Sequence, residues 1–213
     1  RAVDAMPQVK KSFIGSGVRY DLSMHKTGNP RIDRANRQYN EELIRFHVSG
    51  RLKVAPAHPA DQVLHAMRKP AFALFYEFKR IFDEINAKYK LNQQLIPYFI
   101  SSHPGCTESH MAELAAITKE LQFRLEQVQD FTPTPMTVSS EAYYTGLDPY
   151  TLKPVFTATT KEQKLAQRMF FFWYENEYKL QIFNRLTKLK RQDLIAKIYP
   201  HGIANIPRHK KQK

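Results

Sequence analysis

The 213-residue sequence has a single cysteine, Cys106. A lone thiol excludes an internal disulfide and is typical of a reducing, cytoplasmic compartment. It also excludes two kinds of metal site from this chain alone, because an iron–sulfur cluster needs several thiolates and a cysteine-rich zinc site needs more than one. Any such site would need residues from outside this sequence.

Long hydrophobic runs and the common short catalytic motifs are also absent. No segment approaches the roughly 18 apolar residues of a membrane span, and the N-terminus lacks a signal-peptide pattern. The chain has no GxGxxG, P-loop, HExxH or paired-cysteine motif. It begins at Arg1 rather than Met, and we expect it to be a piece of a longer cytoplasmic polypeptide without a membrane partner.

The positive charge is concentrated at the C-terminal end. Residues 161–213 carry 13 Lys and Arg against 4 Asp and Glu, whereas residues 1–160 carry 20 against 16. The chain ends in Arg208-His-Lys-Lys-Gln-Lys213. Such an end is either a solvated tail or a contact for nucleic acid. The second interpretation gives an alternative function, a basic module that binds RNA or the ribosome.

Four short apolar segments alternate with helical patterns and predict a parallel sheet. The clearest is Leu95–Ser101, which is followed by small polar residues, a Pro-Gly pair and Thr107, a good helix cap. The other three predicted strands are Lys11–Gly15, Arg51–Ala55 and Gln127–Phe131. Because a predicted helix separates each pair, we expect right-handed crossovers between parallel strands. The predicted fold class is α/β, a partial TIM-type (β/α) barrel of four βα units over residues 1–145, with a helical basic extension over 146–213.

Helical spacing is clearest between the second and third predicted strands. One apolar stripe recurs there at intervals of three and four residues, formed by Phe75, Phe78, Phe82, Ile85 and Tyr89. Further predicted helices are one from Asp33 to Phe46 with Asp33 as N-cap, one after Thr107, a long one from Lys161 through Phe170–Tyr174, and one near Gln192–Tyr199.

Polar groups follow all four predicted strands. In a βα barrel the carboxyl ends of the strands face one side, so these groups would converge. They are Ser16 and Arg19, Lys53 and His58, Ser101, Ser102 and His103, and Thr132 and Thr134. Any one of these residues could instead serve only as a turn former, but for the set we expect a shared ligand site.

His103 and Cys106 suggest a third, weaker hypothesis, a small hydrolase. A helix N-terminus near Cys106 would lower the pKa of its thiol. However, the sequence shows no partner that would make His103 an acid or base.

Five segments together are similar to the YgiQ family of radical S-adenosylmethionine (SAM) proteins. The resemblance spans roughly residues 10–160 and is specific in order and spacing. The segments are Phe13-Ile-Gly-Ser-Gly-Val-Arg-Tyr-Asp21, His47-Val-Ser-Gly-Arg-Leu-Lys-Val-Ala-Pro56, Tyr98-Phe-Ile-Ser-Ser-His-Pro-Gly-Cys-Thr107, Val128-Gln-Asp-Phe-Thr-Pro-Thr-Pro-Met-Thr137 and Tyr143-Tyr-Thr-Gly-Leu-Asp-Pro149.

The resemblance implies the C-terminal part of a radical SAM enzyme of unknown substrate, holding strands three to six of a (β/α)6 barrel. SAM and a [4Fe-4S] cluster would bind the full-length parent, and none is expected on this piece alone, whose partner is the missing N-terminal half. By resemblance, Ser49 and Lys53 contact the ribose or carboxylate of SAM, and Ser101, Ser102 and His103 the adenine side. Ser16 and Thr132, at the other two strand ends, complete the expected cofactor-binding set.

Two departures from the family pattern weaken this assignment. The cluster-binding cysteine loop is absent. Ala55-Pro56-Ala57-His58 stands where the family often has Ala-Pro-Glu-His, so a carboxylate that could contact the cofactor is missing.

Overall fold

The computed structural model describes residues 2–125 and 128–203. Its strands are β1 (Arg51–Ala57), β2 (Gln94–Ser101) and β3 (Val128–Asp130), in the sheet order β1-β2-β3. Strands β2 and β3 are parallel, with Phe99 opposite Val128 and Ser101 opposite Asp130. The helices are α1 (Tyr20–Met24), α2 (Pro30–Phe46), α3 (Asp61–Ala66), α4 (Ala73–Tyr89), α5 (Glu108–Glu120), α6 (Val138–Thr145), α7 (Lys161–Arg168), a 3-10 helix (Met169–Phe172), α8 (Asn176–Lys188) and α9 (Gln192–Ile198).

The predicted four-unit barrel is wrong. Within the described residues the fold is α/β with one small three-stranded parallel sheet, and most of the ordered structure is helical. The second, third and fourth predicted strands correspond to β1, β2 and β3, although Gln127 lies outside the described residues. The first predicted strand, Lys11–Gly15, is not a strand, and Phe13 is 50% exposed. Only Phe13 and Ile14 are apolar in that segment, too few to bury a strand on both faces.

The chain divides into two compact units. Unit 1 comprises Arg1–Ala57 and Pro70–Tyr98. Its core is formed by α4, which buries the predicted stripe at Phe75, Phe78, Phe82 and Ile85 and contacts α1 and α2. Helix α2 begins at Pro30 and is capped by Asn29, whose side chain accepts a hydrogen bond from the Arg31 amide. The predicted Asp33 cap is therefore wrong: proline suits the first helical position, so the helix starts earlier.

Unit 2 comprises His58–Lys69 and Phe99–Lys213. Helix α5 is central to it and contacts α7, the 3-10 helix and α9. The predicted Thr107 cap is confirmed, since Thr107 and His110 form a reciprocal capping box. No helix in the described part of the chain is long and apolar enough to cross a membrane.

The predicted long helix from Lys161 is wrong. Helix α7 ends at Arg168, a 3-10 turn follows, and α8 starts at Asn176. A continuous helix would place the aromatic run on nearly every side, whereas the break lets Phe170 and Phe171 enter the core together. The predicted domain division at residues 145 and 146 stays a prediction.

Candidate functional site

The loop that follows β2 is the centre of the candidate site. It runs from Ser101 to Thr107, between the end of β2 and the start of α5 in unit 2. Three of the residues predicted to bind a cofactor, Ser101, Ser102 and His103, lie in it, and each is at most 4% exposed. These three side chains are therefore buried, rather than exposed at the edge of the sheet.

Ser101 is engaged by the neighbouring strand. Its hydroxyl donates a hydrogen bond of 2.5 Å to Asp130 Oδ1, and the Arg168 guanidinium donates to Asp130 Oδ2 at 3.2 Å. The Phe131 amide also donates to the Ser101 carbonyl at 2.8 Å. Ser101 therefore ties β2 to β3 and to the residue that follows it, and Asp130 has a structural role in these contacts.

Ser102 is unusual both in its backbone conformation and in the hydrogen bonding of its side chain. Its φ of 59° lies in the left-handed region, where a residue with a Cβ is strained. Its hydroxyl is buried and has no hydrogen-bond partner among the described residues. An orphaned hydroxyl of this kind is uncommon in a folded interior.

Gln167, on α7, holds the loop in this shape. Its Oε1 accepts a hydrogen bond from the Ser102 amide at 2.8 Å, and its Nε2 donates to the Cys106 carbonyl at 2.7 Å. Gln167 is 1% exposed. Gln167 was not among the predicted site residues, because a lone glutamine on a predicted helix carries no sequence signal of its distant partners.

The tautomer of His103 follows from its two partners. Nδ1 lies 2.8 Å from the Pro104 carbonyl, which can only accept, so Nδ1 carries the proton. Burial lowers the pKa of His103, which favours the neutral ring. Nε2 is then an acceptor, and the Ser139 hydroxyl donates to it at 2.9 Å. This partner, 36 residues away in sequence, is the one that the sequence did not reveal.

Cys106 is paired with His58, not with His103. The Ala60 amide donates to His58 Nδ1 at 3.0 Å, so the ring proton is on Nε2, which lies 3.7 Å from the Cys106 sulfur. His58 therefore presents a proton to the sulfur and cannot remove one. Burial raises the pKa of the Cys106 thiol to about 12, so the predicted lowering is wrong and the thiol is not an activated nucleophile.

The remaining predicted cofactor residues divide between the two units. In unit 1, Ser16 and Ser49 are exposed and Lys53 is half-buried. The Lys53 carbonyl accepts from the Val18 amide at 3.0 Å, so the segment after Ser16 runs beside β1. In unit 2, Thr132 is exposed directly after Phe131, whose ring centroid lies 4.9 Å from that of His103. The shared site for the whole set stays a prediction.

Part of the basic extension is neutralised within unit 2. Arg168, Arg185 and Arg191 form ion pairs with the carboxylates of Asp130, Glu108 and Glu113, respectively. The terminal basic run, Arg208–Lys213, lies outside the described residues, so the alternative of an RNA contact stays a prediction. The described residues contain no group of three or more His, Cys, Asp or Glu side chains that could hold a metal.

Residues 126–212 match a family described as a domain of unknown function, DUF3362. The chain is 63% identical over 199 residues to a UPF0313 protein of Bacteroides thetaiotaomicron, covering 93% of the chain and 32% of that relative. It is 58% identical over 199 residues to one of Porphyromonas gingivalis, of which it covers 31%. A third, from Methanosarcina acetivorans, is 40% identical over 191 residues. No solved structure matches.

The chain thus spans about a third of the length of these curated relatives. Identity of this order over nine-tenths of the chain reflects common ancestry. Over nine-tenths of its length the chain is thus similar to UPF0313 proteins, the YgiQ-like family.

Proposed function

We propose that this chain is part of a radical SAM enzyme and that the loop after β2 supplies part of its SAM pocket. The similarity to UPF0313 proteins supports the proposal, as does the resemblance of five segments to radical SAM proteins. The observation that carries it is Ser102, whose strained backbone and unpartnered hydroxyl lie at the carboxyl end of a parallel strand. In open α/β sheets, ligands bind at that end of the strands.

The iron–sulfur cluster does not fit this chain alone. Its one cysteine, Cys106, is fully buried against His58. Burial also raises the pKa of the thiol to about 12, whereas a cluster ligand must be a thiolate. In our proposal the cluster thiolates come from other residues of the parent polypeptide, whose relatives are about three times as long as the described chain.

SAM fits part of the predicted residue set. The side chains of Ser101 and His103 already form hydrogen bonds to other residues of unit 2. Ser102 Oγ has no partner within the described chain, and Thr132 is exposed. Ser102 and Thr132 are therefore the residues of unit 2 that would hold the cofactor. When bound beside a reduced cluster, SAM would supply radical chemistry of the hydrogen-abstracting kind.

The decisive experiment uses the parent polypeptide. After anaerobic reconstitution with iron and sulfide, we expect a brown chromophore and release of methionine from SAM upon chemical reduction. A parent without clustered cysteines, or a reconstituted parent that leaves SAM intact under reduction, would contradict the proposal.

A variant tests the role of Ser102 separately. Ser102→Gly removes both the hydroxyl and the Cβ that strains the backbone. We expect the variant to be as stable as the parent or more stable, yet to bind SAM several-fold more weakly. A structural role alone predicts unchanged SAM binding. Equal SAM affinity in Ser102→Gly and the parent would show that the Ser102 hydroxyl does not contribute to SAM binding.

A further inference from the structure

Ser139 and His103 form a hydrogen-bonded pair in the wall of a cavity of about 370 Å³ within unit 2. The Ser139 hydroxyl lies 2.9 Å from His103 Nε2. A serine hydroxyl that donates to a neutral imidazole nitrogen has a base in place to remove its proton, which is the geometry of an activated nucleophile. The two residues are 36 positions apart in sequence, so the fold brings them together.

The His103 ring is held in the orientation that a base requires. Its Nδ1–H donates to the Pro104 carbonyl at 2.8 Å, so the lone pair of the ring is on Nε2 and faces Ser139. The Phe131 ring packs against it edge to face, with 4.9 Å between the ring centroids. A nucleophile, a base and a group that orients the base are therefore all present.

Ser139 differs from Cys106 in its access to the cavity. Ser139 is half-buried and lines the cavity together with His103. Cys106, the nucleophile considered from the sequence, is fully buried, and His58 presents a proton to its sulfur. Of these two nucleophilic side chains, Ser139 is thus the one with both a base and room for a substrate.

The start of α6 provides hydrogen-bond donors beside the serine. The amides of Ser140 and Glu141 donate to the Thr137 carbonyl at 3.0 and 3.2 Å. The amides of Val138 and Ser139, the first two of the helix, have no acceptor within the described residues. Such amides attract negative charge. They can donate to a carbonyl oxygen that becomes negative when Ser139 attacks the carbonyl carbon.

The cavity walls indicate the kind of substrate. Ala66, Val138, Ala142 and Val155 line the cavity with apolar groups, and its volume is at the small end of the roughly 300–1,000 Å³ of ligand sites. These features suit a short apolar acyl chain. Because a neutral carbonyl orients His103, the imidazolium formed in the reaction is stabilised less than it would be by a carboxylate. Esters, which are more reactive than amides, are therefore the expected substrates.

We propose that unit 2 carries an esterase site, with Ser139 as nucleophile and His103 as general base, for carboxylic esters with a short apolar acyl group. Ser139 Oγ attacks the ester carbonyl carbon while its proton passes to His103 Nε2. The tetrahedral intermediate then releases the alcohol, which takes the proton from His103, and the acyl group stays on Ser139.

Water completes the cycle. His103 removes a proton from a water molecule, whose oxygen attacks the acyl carbon, and the bond to Ser139 Oγ breaks. The serine oxygen regains its proton from His103, and the carboxylic acid leaves. One water is consumed for each ester cleaved. This activity lies beyond the radical chemistry proposed above, since it requires neither SAM nor an iron–sulfur cluster.

A fluorophosphonate probe tests the nucleophile in the parent polypeptide, with the modified residue identified by peptide mass spectrometry. We expect modification of Ser139, and its loss in His103→Gln. Ser109 is the internal control, because it is the second residue of α5 as Ser139 is of α6, and it is also half-buried. Its hydroxyl accepts from Arg191 at 2.6 Å and has no histidine partner within the described residues.

The comparison of the two serines decides between a general effect of helix ends and a specific effect of His103. Absence of modified Ser139, or equal modification of Ser139 and Ser109, would overturn the proposal. A folded His103→Gln variant that is modified as fast as the unmodified protein would refute the role of His103 as base. If His103→Gln does not fold, the two serines still provide the test.

Hydrolysis of p-nitrophenyl butyrate tests the activity. We expect Ser139→Ala and His103→Gln each to lower the rate at least about 100-fold, as the loss of a positioned nucleophile or base predicts, and Ser109→Ala to leave it unchanged. Because residues that act as a unit are not additive, the double variant of Ser139 and His103 should be no slower than either single variant. Hydrolysis by Ser139→Ala at the unmodified rate would refute the site.

Discussion

Gln167 is the side chain on which the shape of the candidate site depends most directly. It joins α7 to both ends of the turn that carries His103, through the Ser102 amide and the Cys106 carbonyl. It is 1% exposed, so water cannot replace these hydrogen bonds. The informative substitution is Gln167→Met, which keeps the length of the side chain and removes both polar groups.

The expected cost follows from the two backbone groups left without partners. A buried donor or acceptor that loses its hydrogen bond costs about 1–3 kcal/mol, so two cost about 2–6 kcal/mol. Burying the more apolar methionine offsets part of this. We therefore expect a loss of about 2–4 kcal/mol, a large fraction of the ~5–15 kcal/mol that stabilises a typical domain.

Urea unfolding followed by circular dichroism measures this loss. Gln181→Met is the matched control, because Gln181 is exposed on α8, and its unfolding free energy should change by less than about 0.5 kcal/mol. A change below about 1 kcal/mol for Gln167→Met would refute the reasoning, since it would mean that the loop finds other partners.

Gln167→Glu provides a second check. As a neutral acid, glutamate can donate to the Cys106 carbonyl and accept from the Ser102 amide, whereas the carboxylate can only accept. The Gln167→Glu variant should therefore gain stability relative to Gln167→Met as the pH falls. A stability difference between the two that does not change with pH would count against the hydrogen-bonding role.

Three further predictions concern the same unit. First, burial lowers the pKa of His58 to about 3, below its ordinary value of 6.5. Between these two values the unfolded chain binds a proton at His58 and the folded chain does not. The free energy of unfolding should therefore fall by about 1.4 kcal/mol per pH unit as the pH drops from about 6 towards 4, with a smaller slope in His58→Gln. Denaturant titrations at several pH values measure the slope, and identical slopes in the two proteins would contradict the assignment. Second, Cys106, fully buried and with its thiol pKa raised to about 12, should react with a disulfide reagent at pH 8 only at the rate of unfolding; rapid labelling of the folded chain would disprove its burial. Third, Gly105→Ala should cost about 1–2 kcal/mol because Gly105 has a φ of 85°, where a Cβ strains the backbone, while the added Cβ would lie at an ordinary contact distance of 3.6 Å from that of Ala66; Gly28→Ala, with a φ of 76° and open space around it, should cost a similar amount, and a cost near zero for both in urea unfolding would contradict the backbone argument.

Local patterns predicted the elements whose signals are contiguous in sequence. The apolar stripe of α4 required only helical spacing, and the predicted residues Phe75, Phe78 and Phe82 are buried. The end of β2 and the Thr107 cap were evident from a short apolar run followed by small polar residues. These signals depend on neighbouring residues, so one sequence is enough to detect them.

The failures arose where packing between distant segments decides the structure. Lys11–Gly15 has strand-like residues but leaves Phe13 half-exposed, and a 3-10 helix at Met169–Phe172 interrupts the helix predicted from Lys161. The candidate site shows the same limit. The sequence predicted His103 as a site residue but not its partner Ser139 or Gln167, which binds the Ser102 amide. Neither lies at a sequence spacing from the loop that a helix, strand or turn pattern would indicate.

Ser102 is the residue where fold and proposed function are hardest to separate. Three other non-glycine residues with positive φ, Lys90, Gln122 and Lys190, follow helices, where this conformation is common and the side chain reaches solvent. Ala57, at the end of β1, is also buried with a positive φ, but its side chain has no polar group to satisfy. Ser102 follows a strand, is fully buried and leaves its hydroxyl unpartnered within the described residues. Glycine would relieve both conflicts, so stability alone does not explain a serine at this position. If Ser102→Gly is more stable and binds SAM as well as the parent, the conflict is a tolerated defect; if it is more stable but binds SAM weakly, the hydroxyl is kept for the ligand.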